Sequence, residues 1–396
     1  MNSQAGSARF AHLDGLRGLA ASIVVVCHFA SAFLPFSAFG GKTVIHYPWE
    51  YLLLHTPLGI SIAGHFAVCL FFLMSGFVLA APMLARQAPL VDLVAAILKR
   101  PFRLGGVVLG TSLLSLVLWH LDMYRNLEAS SLSGSEWWVS FWNEQPPSLN
   151  HLFTQLFQGP FDAARLLNQP LWTIERELWG SWLVFGLLLL RPAPLRWLLT
   201  LAFTLWYARN LTQCFLIGLL LAEVHQQLVG RSRVPVMSGW LCGLLLVVAL
   251  VCGSFPKYAD PGDIPHTLFA WSPVLPWLGG GWPMFGALAI MLAALYHPSL
   301  QRLLAAGPLL FLGRVSYSLY GVHFLILGSL SSSAFIHFTK VSGYPAGVIA
   351  ALIALLLGTL GGAVVIDRFI DRPALALSQA IGRKVHGFSA HFGKSK

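Results

Sequence analysis

Charge is what this chain has least of. Asp, Glu, Lys and Arg make up 10% of its 396 residues, against about 25% in a soluble globular domain. Acids are scarcer than bases, 15 against 25, so the net charge is +10. The scarcity excludes a water-soluble globular chain. The basic residues are scattered rather than gathered on a soluble scaffold, which argues against nucleic acid as a partner. Cysteine is also sparse. Cys27, Cys69, Cys214, Cys242 and Cys252 all lie in apolar runs. Without paired spacing they read as small buried hydrophobes, and no disulfide framework or bound metal is expected. A Gly-rich phosphate loop is missing, and the two halves show no internal repeat.

Apolar sequence fills the space. Hydrophobic residues reach 56% and the mean hydropathy is +0.70. A membrane-crossing helix needs about 20 mostly apolar residues. Ten stretches approach that, at about 14–36, 64–84, 104–121, 171–190, 195–209, 211–229, 236–254, 282–297, 308–330 and 345–367. The expected fold is an all-α integral membrane bundle of about ten transmembrane helices. One integral membrane domain covers 1–375, followed by a basic cytoplasmic tail over 376–396. The first run lacks a small-residue cleavage site and is expected to stay as the first helix. With the amino terminus inside, most of the 25 Lys and Arg fall in the inner loops and tail. The positive-inside rule then places both termini in the cytoplasm. The expected location is the cell membrane, multi-pass, which in a Gram-negative cell is the inner membrane.

The first helix carries the sharpest signal. LDGLRGLAASIVVVCHF, residues 13–29, holds Asp14, Arg17 and His28. Arg17 and His28 are eleven positions apart, and at about 100° per residue eleven steps return to within about 20°. An acid, a guanidinium and an imidazole therefore share one stripe, with Arg17 and His28 about 16 Å apart along the axis. Ionisable groups inside a membrane are expensive and mark function by default.

Other polar residues interrupt the later runs. Ser75 and Gly76 sit in FFLMSGF, where close helix packing is the plainer reading. Arg100 and Arg103 fall in an inner basic loop, and their plainer reading is ordinary inner positive charge. Glu175 and Glu177 stand in PLWTIERELWGSW, where an ion pair and a role beside substrate are equally open. Tyr317, Tyr320 and His323, with Ser316, follow helical spacing and share a face. That face lines a cavity or forms a polar network between helices. The outer stretch 122–170 contains Trp137, Trp138 and Trp142, an aromatic belt or a surface for stacking sugar rings.

Together these segments resemble the membrane acyltransferase-3 family. The basic residue and the histidine of its first helix are matched by Arg17 and His28. FFLMSGF looks like its Phe-Phe-x-x-Ser-Gly-Phe stretch, and Arg100 with Arg103 its Arg-x-x-Arg pair. PLWTIERELWGSW is similar to its Pro-x-Trp-Ser segment, with Thr173 where Ser is commoner. FLGRVSYSLYGVHF resembles its Leu-Gly-x-x-Ser-Tyr-x-x-Tyr-x-x-His segment, and IDRFIDRPAL its closing acidic-x-Pro stretch, with Asp371.

The resemblance implies an integral membrane O-acyltransferase. It would take acetyl from acetyl-CoA, a donor substrate rather than a bound cofactor, and esterify a hydroxyl of a carbohydrate or glycoconjugate. His28 and Glu175 are then the catalytic candidates, His28 as general base. Arg17, Arg100 and Arg103 are candidates for binding the donor. Asp14, Ser75, Glu177, Ser316, Tyr317, Tyr320 and His323 are candidates for lining the cavity. A secondary transporter or a non-catalytic polysaccharide-assembly protein would share the intramembrane charges, but the first-helix stripe would be unexplained.

Overall fold

The computed structural model describes residues 10–148, 150, 167–230, 236–273 and 275–393. Part of the expected outer stretch 122–170, and the last residues of the tail, lie outside the described residues. Every regular element among the described residues is helical. The longer helices are α1 (Ala11–Phe33), α2 (Gly64–Ala85), α3 (Leu90–His120), α4 (Trp172–Leu188), α5 (Ala193–Trp206) and α6 (Thr212–Gly230). They continue with α7 (Gly239–Gly253), α8 (Gly281–Tyr296), α9 (Gly307–Ile326), α10 (Ser332–Ser342), α11 (Tyr344–Ile366) and α12 (Arg372–Gly393). A π-helical turn, Leu327–Ser331, joins α9 to α10, and a second, Asp367–Asp371, joins α11 to α12.

A helix lies at each of the ten expected places. Among the described residues, five helical segments are long and apolar enough to cross a membrane. They are α1, α2, α3, Gly307–Ser342 and Tyr344–Gly387. A sixth joins α8 to the short helix Pro298–Leu304 across a bend of 101°. The remaining helices are shorter or more polar. This is a multi-pass membrane protein. Leu113, Leu357 and Trp206 are 54%, 69% and 81% exposed, as expected of side chains facing lipid.

One boundary moves from its expected place. Arg100 and Arg103 lie on a helix, not in a loop, because α3 starts at Leu90 and runs through Pro101. Charge and proline read locally as a loop. Ion-pair partners on other helices hold these arginines in place instead. Beyond residue 375, α12 carries the helix on to Gly393. It packs along the start of α3, with Ser378 Oγ donating to the Lys99 carbonyl at 3.2 Å.

Hydrophobic burial offers little between helices in lipid, so close packing through small residues does more of the work. Helices α1 and α9 show this. A Cβ at Gly18 would stand 2.6 Å from the Gly313 nitrogen, and one at Gly313 would strike the Asp14 carbonyl. Gly76 of α2 and Gly218 of α6 make the same kind of seam. The α1–α9 seam decides the site, because it holds the first-helix stripe against the Tyr320–His323 face.

Candidate active site

Five helices, α1, α2, α3, α4 and α9, enclose a cavity of about 600 Å³. Its lining is rich in arginine. Arg17, Arg100, Arg103 and Arg314 line it, against the carboxylates of Asp14 and Glu177. Each of the first three guanidiniums is fixed. Arg17 Nη1 donates to Asp14 Oδ1 at 3.0 Å, one helical turn back. Arg100 pairs with Glu177 and donates through Nε to Ser181 Oγ at 2.8 Å. Arg103 pairs with Asp371 and lies 5.5 Å from the centre of the Tyr317 ring. The Tyr317 hydroxyl donates to the Leu104 carbonyl at 2.5 Å. Arg314 lies 5.2 Å from the centre of the Phe311 ring.

Val68, Phe71, Phe72 and Ile174 supply apolar wall. Ser75 and Ser316 also face the cavity. The neighbouring Gly76 backs onto the Phe215 carbonyl, so the packing reading explains the glycine and not the serine. Ser316 Oγ donates to the Gly313 carbonyl at 2.8 Å. Tyr320 closes this part of the wall. Its hydroxyl donates to the Pro170 carbonyl at 3.0 Å and accepts from Thr173 Oγ1 at 2.9 Å. Thr173 thus supplies the hydroxyl that a serine would.

One turn beyond Tyr320 stands a histidine pair. His28 Nδ1 and His323 Nε2 are 2.8 Å apart, and the two rings are parallel within 3°. His323 is fully buried, and its Nδ1 is 2.8 Å from the Tyr320 carbonyl oxygen. A carbonyl only accepts, so His323 Nδ1 carries the hydrogen. In the neutral ring Nε2 then bears the lone pair. His28 must therefore donate from Nδ1, which leaves its Nε2 as a free lone pair. His28 is half-buried, and Trp137 lies over it at 5.7 Å with 20° between the planes. A base in a fixed tautomer, oriented by a second group, is the arrangement that general-base chemistry needs. Among the described residues no three His, Cys, Asp or Glu gather as metal donors.

The structure brings Asp14, Arg17, Ser75, Arg100, Arg103, Glu177, Ser316, Tyr317 and Tyr320 to one cavity. His323, expected along its wall, is not there; the Tyr320 turn intervenes, and the ring faces His28 instead. His28 likewise stands beyond the cavity. Glu175 is half-buried and does not line the cavity, whereas Glu177, two residues on, does.

A family described as an acyltransferase domain matches residues 10–368. The chain belongs to the acyltransferase-3 family. A relative named Acyltransferase R4, from Phoma sp., is 22% identical to this acyltransferase over 92% of this chain and 94% of its own. No solved structure matches it. The arginine cavity and the histidine pair both fall inside the matched residues of the acyltransferase.

Some residues of this acyltransferase site escaped the sequence reading. Arg314 reads locally as no more than one basic residue near a helix start. It precedes Tyr317 by three, a helical neighbour spacing that placed it on the same face. Trp137 is conspicuous as an outer aromatic, but its place over His28 has no local signal, since nothing near residue 137 points to residue 28.

Proposed function

We propose that this acyltransferase moves acetyl from acetyl-CoA to a hydroxyl of a carbohydrate or glycoconjugate. Its bundle of about ten transmembrane helices lies in the cell membrane with both termini in the cytoplasm. The carrying observation is a cavity lined by arginines and apolar side chains, with a histidine pair of fixed tautomer one helical turn beyond its Tyr320 wall. Guanidinium recognises phosphate oxygens through paired hydrogen bonds, which suits the phosphates of coenzyme A beside the arginines. The apolar walls suit the pantetheine arm. Arg17 and His28, eleven residues apart on one helix, span about 16 Å, a fitting reach from phosphate to thioester.

His28 Nε2 takes the proton of the acceptor hydroxyl as the oxygen attacks the thioester carbonyl carbon. The carbon–sulfur bond breaks, and the proton passes from His28 to the leaving thiolate. Ester and free coenzyme A result, and the enzyme returns to its starting protonation. His323 orients His28 and accepts from its Nδ1–H throughout. Asp14 and Glu177 hold Arg17 and Arg100 in position. The inner positive charge supports a donor entrance on the cytoplasmic side, with the acceptor arriving on the Trp137 side.

The test uses purified protein with radiolabelled acetyl-CoA and envelope glycans from a deletion strain as acceptor. Label transfer, and a two-carbon ester found by mass spectrometry in the product, are expected. Binding of acetyl-CoA without transfer to any glycan would overturn the acceptor class. Absence of acetyl-CoA binding would overturn the donor.

A further inference from the structure

On the Trp137 side of His28 the loops build a second cavity, of about 500 Å³. It lies between the turn at Phe39–Val44, the residues Gly134 and Glu136, and the stretch from Tyr258 to Pro261. Its rim is fixed. Gly40, Gly41 and Gly134 have φ of 58°, 63° and 68°, a left-handed backbone that residues with a Cβ rarely adopt. The Asp260 N–H donates to the Phe39 carbonyl at 2.9 Å, and Thr43 Oγ1 donates to the Gly40 carbonyl at 2.7 Å. The Gly41 N–H donates to the Asp263 carboxylate. A cleft formed in advance needs little ordering when a ligand enters.

Its charged groups are exposed, and of these Asp260 Oδ1 accepts the Gly262 N–H at 2.8 Å. Lys42, Glu136 and Asp260 are exposed, and none of them forms an ion pair among the described residues. Tyr258 is 60% exposed, yet its hydroxyl is held. It donates to His65 Nδ1 at 3.1 Å, while His65 Nε2 donates to the Gly279 carbonyl at 3.1 Å. The phenol ring is thus a platform pinned from below. Phe39 in the cleft wall lies 6.2 Å from Trp137, which itself covers His28. An aromatic path therefore joins the cleft to the base.

We propose that this cleft binds the acceptor as a polyhydroxylated sugar chain and delivers one of its hydroxyls past Trp137 to His28. The proposal rests on the acyltransferase reading above. Two carboxylates against one ammonium disfavour an anion. The same set suits neutral hydroxyls, which donate to Glu136 and Asp260 and accept from Lys42. The exposed ring of Tyr258 suits the C–H face of a pyranose.

The experiment presents full-length protein in detergent to a panel of glucose, galactose, rhamnose and N-acetylglucosamine oligomers of two to six units. The tightest-bound oligomer is then titrated by tryptophan fluorescence. Glu136→Gln with Asp260→Asn, and separately Tyr258→Ala, are expected to weaken that binding at least about tenfold, scaled to the loss of a few hydrogen bonds. Affinity for acetyl-CoA, measured on the same samples, should stay within about twofold. Glu136 and Asp260 are exposed, so their variant tests the cleft even where Tyr258→Ala unfolds the loop. Binding of no panel member, or binding unchanged in the carboxylate variant, would overturn the proposal. Failure of the parent to bind acetyl-CoA while sugar binding follows the cleft residues would instead count against the donor reading alone.

Discussion

The histidine pair divides one task between two imidazoles. His28 is half-buried and has the free nitrogen, whereas His323 is fully buried and committed to a backbone carbonyl. Replacing His28 by Ala removes the base, and a positioned base contributes about 10²–10⁴-fold. Initial rates of acetyl transfer should fall by that factor with membrane insertion intact, and a rate within threefold of the parent would rule the role out. His323→Ala should cost less, because His28 keeps its nitrogen but loses its orientation. His323→Gln, whose side-chain oxygen can accept from His28 Nδ1, should recover part of kcat with KM unchanged, which a purely structural role would not give. At the mouth, Arg17→Ala should raise the KM for acetyl-CoA at least about tenfold, since a truncated charged hydrogen-bond partner costs ~2–5 kcal/mol. Arg17→Lys should recover little where a paired fork is required. Residues of this kind were legible because a charge in an apolar run is conspicuous. The 2.8 Å contact between positions 28 and 323 was not, since one sequence states no distance between helices.

At the scale of elements, α1 and α9 depend on glycine. Gly313→Val would push a branched side chain into the Asp14 carbonyl, with Gly18 too close to relieve it. Overpacking of this kind costs about 1–3 kcal/mol. The expected outcome is a lower midpoint in thermal unfolding, with a loss of activity larger than the stability change explains, because the seam sets the register of His28 on His323. Unfolding and rate measured on one preparation check both. The positions of the helices were legible from hydrophobic runs, because lipid demands long uninterrupted stretches. The start of α3 was not. Lys99, Arg100, Pro101 and Arg103 look like a loop when read locally. They are helical because Glu177 and Asp371, distant in sequence, neutralise two of them.

For the whole molecule, orientation is the first quantity to test. Reporter fusions after residue 375 and near Trp138 should report opposite sides of the membrane. Agreement between them would give an odd number of crossings and put the two termini on opposite sides of the membrane. The histidine pair then has a consequence for energetics across the bilayer. Behind His28 stand a neutral ring and a backbone carbonyl, and no carboxylate bonds either histidine among the described residues. On the proposed route an acetyl group travels one way and a proton the other as part of a neutral thiol, so no net charge crosses. One elementary charge moved through 100 mV would gain about 2.3 kcal/mol, roughly fiftyfold in rate. Transfer in proteoliposomes should therefore be the same under potassium diffusion potentials of either sign. The enzyme would modify what lies across the membrane without drawing on the voltage, in a resting cell as in an energised one.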